Sequence, residues 1–330
     1  MLRLSCRAVA SASVFLLALV GLAASGGAQP ATPPPVSVRF ELNDAQVKGR
    51  ALEGVAISVS PVAVGGDVAS GRTAAGGRWT ARLPAGTYEV SYRLEGYVPY
   101  TSGATEIRDE GQLVTVSLSR LLEATESRGR EVRIILNWGS RPDQVRDADS
   151  HLACPCGASD RHVYYQARVH EAAGHKVELD VDDTDWGGPE TITLTRPVPG
   201  TYLYWVHDYS GPPATLGASD VVVRVVIGSQ EAGEFRVFRG VTRRAWRPFK
   251  AIEVSAEGIP SLVRFTEDEI AEAADLAVPA ELQPPEDASA TPPTAPGEPA
   301  PPSTLSRPIL YLLVFLLFVL IAKARRRRRG

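Results

Sequence analysis

Apolar and polar positions alternate with period two through most of this chain, and the alternation predicts strands. It is plainest at 87–94, where Tyr88, Val90, Tyr92 and Leu94 fall on one face. Between Val36 and Leu122 the runs VSVRFEL, GVAISVS, GRWTARL, GTYEVSYRL and GQLVTVSLSRL are separated by glycine-containing turns. A charged stretch at 123–130 suits an interdomain linker, and a second β-rich block follows. Its expected strands are 132–138, 162–166, 176–181, 191–195, 201–207, 221–227, 234–238 and 249–254. No helical period intervenes, so the expected fold class is all-β, with two antiparallel β-sandwich domains in tandem over 36–122 and 131–258. Tyr202 and Tyr204 share a face with Val206 and belong to the second core.

The two ends read differently. Arg3 and Arg7 precede an apolar run at 8–22, and the small residues Ser25, Gly26, Gly27 and Ala28 follow. This predicts an N-terminal signal peptide over 1–28 and export. Near the other end, the apolar run 309–322 leads into Lys323 and the arginines Arg325 to Arg329. As a helix it reaches about 21 Å, short of a hydrocarbon core of about 30 Å. Extending it to 305–324, with Arg307 and Lys323 snorkelling outward, gives a spanning length. The expectation is one C-terminal transmembrane helix (309–324) and a cytoplasmic Arg-rich tail (325–330), with the N-terminal domains extracytoplasmic. The order of Pro-rich spacer, short span and arginine cluster also resembles bacterial C-terminal sorting signals, although no Gly-Gly, Cys or LPXTG-type motif precedes the span. Thr266 and Glu269 have capping-box spacing ahead of Ile270, Ala273, Ala274 and Ala277, predicting a short acidic helix over 266–277. A Pro-rich stalk fills 279–308.

The chain has 35 Lys and Arg against 38 Asp and Glu. Removing the two basic residues of the leader and the six of the tail leaves 27 against 38, a net of −11 for the exported part. Such a surface repels phosphate backbones and excludes nucleic acid as a partner. The expected partners are an envelope protein or glycan, and the membrane through the C-terminal helix.

All 5 histidines lie between His151 and His207, among Asp147, Asp149, Asp180, Asp182, Asp183, Asp185, Glu190 and Asp208. His175-x-x-Glu178 has the spacing of a zinc pair, but residues three apart on a strand point to opposite faces. Alternate aspartates in Asp147-Ala-Asp149 and Asp182-Asp183 suit a hard cation, which makes Asp147, Asp149, Asp182 and Asp183 candidate calcium ligands. His151 is the alternative ligand, and with His162 and His207 it would favour a transition metal such as zinc. The same residues also read as ordinary turn and strand-edge positions, with Asp capping its own backbone. No cofactor is required by this pattern. Cys154-Pro155-Cys156 is a candidate disulfide in an oxidising exterior, or a soft-metal pair with His151 or His162. Trp186, beside Gly187 and Gly188, is the candidate ligand-facing aromatic.

Gly54-Val55, Gly76-Gly77-Arg78-Trp79, the run 83–90 (LPAGTYEV) and Gly96-Tyr97 resemble the carboxypeptidase regulatory-like domains of transthyretin-like fold, over about 38–118. That resemblance implies a non-catalytic accessory module. The family's usual opening Gly, and the Asp before its glycine turn, are missing. Trp138-Gly139, Asp147-Ala-Asp149-Ser-His151-Leu152, His162-Val-Tyr-Tyr165, the run 179–193 and Pro199-Gly-Thr-Tyr202 are similar to YfaP-like bacterial exported domains, over about 132–254. It implies an extracytoplasmic β-sandwich with no established reaction. The combined expectation is a non-enzymatic binding or structural module of the bacterial cell envelope. The alternative is a metal-dependent hydrolase, with Asp147, Asp149, His151 and His207 around a zinc and Glu190 as base.

Overall fold

A computed structural model of the chain describes residues 34–267 and 269, apart from 64–65, 123–129, 140 and 158–160. The expected signal peptide, most of the linker, the acidic helix beyond its first turn, the stalk, the transmembrane helix and the tail lie outside the described residues. Among the described residues no helix is long and apolar enough to cross a membrane. Thr266 and Glu269 do exchange both capping-box bonds, at 2.9 and 3.3 Å.

The first seven strands are β1 (Val36–Asp44), β2 (Ala56–Pro61), β3 (Ala69–Arg72), β4 (Arg78–Leu83), β5 (Gly86–Arg93), β6 (Tyr100–Ile107) and β7 (Gln112–Leu118). They form a three-stranded sheet, β4-β1-β7, and a four-stranded sheet, β3-β2-β5-β6. Period-two patterning aims Val38, Phe40, Leu42, Ile57, Val59, Tyr88, Val90 and Tyr92 into the core between them. The pairing is not wholly antiparallel as expected, because β1 and β7 run parallel. The long excursion through the other sheet brings β7 back beside β1 in the same direction.

The next twelve strands are β8 (Val132–Asn137), β9 (Ala148–Cys154), β10 (Arg161–Val163), β11 (Val169–Ala172), β12 (His175–Val181), β13 (Glu190–Thr195), β14 (Gly200–Asp208), β15 (Val222–Ile227), β16 (Gln230–Arg236), β17 (Ala245–Trp246), β18 (Ala251–Val254) and β19 (Pro260–Val263). One sheet has the order β11-β12-β13-β8-β15-β16, and the other β10-β9-β14-β18-β19 with β17 also paired to β14. Ile134, Leu136, Leu152, Tyr202, Tyr204, Val206, Val223, Val225 and Phe249 fill the core between them. The pairing of β19 with β18 carries this half to Val263, past the expected boundary at 258.

Every residue of β8 is buried, on both faces. The inner face meets its own core, and the outer face meets the first half of the chain. There Ile135 and Val226 pack with Ala45 and Val98. Most polar groups at this junction are paired, although Arg133 Nη2 is not. Arg133 donates from Nη1 to Ser119 Oγ at 2.5 Å and to the Arg120 carbonyl at 2.5 Å. Asn137 donates to Ser117 Oγ at 3.0 Å. Arg224 donates to the Ser117 carbonyl at 2.6 Å and to Glu231 at 2.7 Å, with its guanidinium 3.5 Å from the Tyr100 ring centroid. Tyr100 in turn donates to Glu234 at 2.7 Å. Buried arginines are stable only with their donors satisfied, so this network fixes how the two halves meet.

Arg224→Met should therefore lower the unfolding free energy by about 3 kcal/mol, because Glu231 and the Ser117 carbonyl both lose a buried partner. Urea unfolding of the full-length protein checks this, and the second substitution Glu231→Leu should restore part of the loss.

Candidate metal centre

Strand β9 lies between β10 and β14, with His151 opposite Trp205 and Asp149 opposite His207. Ser150 and Leu152 face the core side, where the Ser150 hydroxyl lies 2.9 Å from Tyr204 OH. Period two then places Asp149, His151, Trp205 and His207 together on the other face. They are not exposed there. His151 is 0% and Asp149 4% accessible, and the rings of His162, Tyr164 and Trp205 stack around His151.

Asp149, His151 and His207 each bring a ligand atom to one spot, all within 4.8 Å of one another. Asp149 Oδ2, His151 Nε2 and His207 Nδ1 are buried without a hydrogen-bond partner. Leaving one such atom unsatisfied costs about 1–3 kcal/mol. Each of the three converging residues thus holds an unpaired buried atom, and a cation would supply a shared partner.

The surroundings prepare these atoms for ligation. His151 Nδ1 lies 2.8 Å from His162 Nε2. For His151 to ligate through Nε2, Nδ1 carries the proton and donates it to His162, the second-sphere arrangement typical of metal-bound imidazoles. Burial, reinforced by His162 and His207, holds the His151 imidazole well below its ordinary value. Burial also lowers His162 to about 4, and burial with Arg244 nearby lowers His207 to about 4. All three rings are neutral near pH 7, the form that binds metal. Burial and then the charge of Asp147 push the Asp149 carboxyl well above the carboxylate range. Glu190, fully buried, is raised by burial and then by Asp149. It accepts the Ser150 N–H at 2.5 Å and leaves Oε1 unpaired. A divalent ion would favour the ionised form of both carboxyls, against the burial that raises them.

Two imidazoles and one carboxylate are a borderline donor set that suits zinc. Calcium takes six to eight oxygens, and the sequence-predicted calcium ligands do not gather. Among the described residues Asp147, Asp149, Asp182 and Asp183 form no group of converging oxygens. Asp182 and Asp183 follow the end of β12 and meet cations of their own, Asp182 with Arg168 at 3.3 Å and Asp183 with Lys48 at 3.8 Å. Asp147 stays near the centre, with Oδ1 unpaired and its carboxyl raised to about 7 by burial and then by Asp182.

The other expected residues are placed as follows. His175 is buried and Glu178 half-buried on the alternating strand β12, so this pair does not share a face. Trp186 is 42% exposed, with Arg146 5.6 Å from its ring centroid. Cys154 and Cys156 form a disulfide beside His175, not beside His151 or His162. The sequence signal for the centre was incomplete because 148–154 has few β-branched residues and does not read as a strand. Without β9 the pairing of Asp149 with His207 has no basis.

Neither a protein-family model nor a curated protein matches this chain. Among solved structures, the Bacillus anthracis TIE protein is 16% identical over 62% of this chain and 32% of its own, with a TM-score of 0.24. This chain thus spans about a third of that protein's length. BcpA, the major pilin subunit of Bacillus cereus, is 11% identical over 62% of this chain and 69% of its own, at 0.26. Fervidolysin from Fervidobacterium pennivorans, a keratinolytic enzyme related to subtilisin, is 9% identical over 71% of this chain and 34% of its own, at 0.24. Scores this low carry no functional argument, and the residues of the site carry the reading instead. By its strands this is an all-β chain of several sheets.

Added Zn²⁺ should raise the melting midpoint of the full-length protein, by the equivalent of about 2.7 kcal/mol at a hundredfold excess over Kd. His151→Ala should abolish the gain and Asp183→Ala should leave it, as scanning calorimetry with and without Zn²⁺ would record. Zinc uptake should release protons and strengthen as pH rises, because burial favours the protonated form of the Asp149 carboxyl that the ion would bind.

Proposed function

We propose that this chain is a non-catalytic binding or structural module of the cell envelope, whose second sandwich is locked by one zinc-class divalent ion at Asp149, His151 and His207. The convergence of three ligating side chains, each with a buried unpaired atom, carries the reading. Structural metal sites are closed, whereas catalytic ones keep a position open to substrate. Asp149 and His151 are shut from solvent and His207 is half-buried, which favours the structural role. The ion would tie β9 to β14 across the sheet, stiffening the face that neighbours the exposed Trp186 loop. That tryptophan is the side chain best placed to stack on a glycan. Export by the 1–28 leader, anchorage by 309–324, and the carboxypeptidase regulatory-like and YfaP-like resemblances belong to this proposal.

A second reading rests on Glu190. Its unpaired Oε1 beside Asp149 has the chemistry of a general base for a metal-bound water.

Metal analysis and activity assays on the full-length protein separate the two. The structural reading expects stoichiometric zinc that stabilises the fold and no ester, amide or phosphoester hydrolysis above background. Turnover that requires zinc and falls at least about a hundredfold in Glu190→Gln, with zinc still bound, would replace it with the hydrolase. Protease added to intact cells should cut within 34–263 while a C-terminal tag stays protected. A protected body with an accessible tag would overturn the topology.

A further inference from the structure

A second group of metal-ligating side chains lies away from the Asp149 centre, at the far end of β9. Cys154 closes that strand, Cys156 follows it by one residue, and His175 opens β12 in the opposite sheet. The two Sγ atoms and a ring nitrogen of His175 all lie within 4.8 Å of one another. All three side chains are buried, Cys154 to 1%, Cys156 to 9% and His175 to 3% accessibility. The sulfurs are joined as a disulfide. Both nitrogens of the His175 ring are buried without a hydrogen-bond partner, though the ring abuts the disulfide.

Bonds other than the disulfide hold these residues in place. Cys154 pairs with Arg161 in the β9–β10 ladder. Pro155 packs against Gly200, where a Cβ would come within 2.7 Å of its ring. The Cys156 carbonyl accepts from His170 Nε2 at 2.8 Å, which fixes the tautomer of that ring. His175 is held by β12 pairing to β11 and by its own burial. Breaking the S–S bond would therefore free two sulfurs without dispersing them, beside the buried His175 imidazole.

We propose that reduction of Cys154–Cys156 opens a soft-metal site in which two thiolates and His175 hold one Cu(I) ion. Thiolates select soft ions, and two thiolates with one imidazole are a softer donor set than the carboxylate and two imidazoles of the Asp149 centre, which favours Cu(I) here. The reductant is a dithiol. One of its thiolates attacks a cysteine sulfur and forms a mixed disulfide, and its second thiol resolves this, so two electrons and two protons reach Cys154 and Cys156 while the dithiol becomes a disulfide. Cu(I) then displaces the two thiol protons and stays monovalent throughout. The disulfide keeps the site shut in an oxidising exterior, and reduction opens it.

The test uses the full-length protein under anaerobic conditions. The oxidised form and a phosphine-reduced form are titrated with Cu(I) against a chromophoric Cu(I) chelator. One additional copper per chain is expected after reduction only, with a sulfur-to-copper charge-transfer band. Cys156→Ser should abolish it, and His175→Gln should weaken it by about tenfold or more. His151→Ala should leave it unchanged, separating this site from the zinc-class centre. X-ray absorption of the reduced, copper-loaded wild type gives a readout independent of variant folding, with two sulfurs and one nitrogen expected in the first shell. Equal copper uptake by oxidised and reduced protein, or a first shell without sulfur, would overturn the proposal.

Discussion

The antiparallel pairing of β9 with β14 is the contact on which the rest of the second half depends. It runs in unbroken register from Leu203 opposite Ala153 to Asp208 opposite Ala148. A slip of one residue would send Asp149 and His151 into the apolar core and Ser150 and Leu152 out of it. The cost of burying charged and aromatic-stacked groups on the wrong side holds the register, and the register holds the ligand geometry. β9 also divides its donors by parity. The carboxylate and imidazole sit on one face, and Cys154, in step with Leu152, belongs to the other. One strand thus carries a borderline donor set at its start and a soft one at its end.

The junction between the halves and the Asp149 centre meet the same constraint in opposite ways. Arg133, Asn137 and Arg224 are buried, and each finds an oxygen from the first half of the chain or from its own sheet. Around Asp149 the buried polar atoms outnumber the partners that the protein supplies. The contrast within one molecule gives the unpaired atoms their weight. Single unpaired atoms occur elsewhere, Arg133 Nη2 among them, but around Asp149 several belong to neighbouring residues that could share one ligand.

Much of the fold was legible. β1, β2, β4, β5, β7, β8, β12, β13, β14, β15 and β18 all fall in runs where apolar residues recur with period two or fill the strand. β3 (ASGR) and β6 (YTSGATEI) were not, because small and polar residues give no period to read. β9 (ADSHLAC) failed for a related reason, since its second face is covered by histidine and aromatic rings and its polar residues look like those of a turn. For the candidate site, composition located the block and named Asp149, His151 and His207, while Asp182 and Asp183 are drawn to cations of their own. Alternate carboxylates suggest calcium, but Lys48 and Arg168 reach Asp182 and Asp183 from segments distant in sequence.

By itself, the sequence determined the all-β class, the core faces of the long strands, the opposition of His175 and Glu178, and the confinement of every histidine to 151–207. These follow from local periodicity and composition, which need no knowledge of what lies opposite. Tertiary structure alone decided that Asp149 meets His207, that Cys154 and Cys156 meet His175, and that β1 runs parallel to β7. Each is a meeting of separate strands, set by hydrogen-bond register or by burial from both sides, and none is written in the order of residues along one strand.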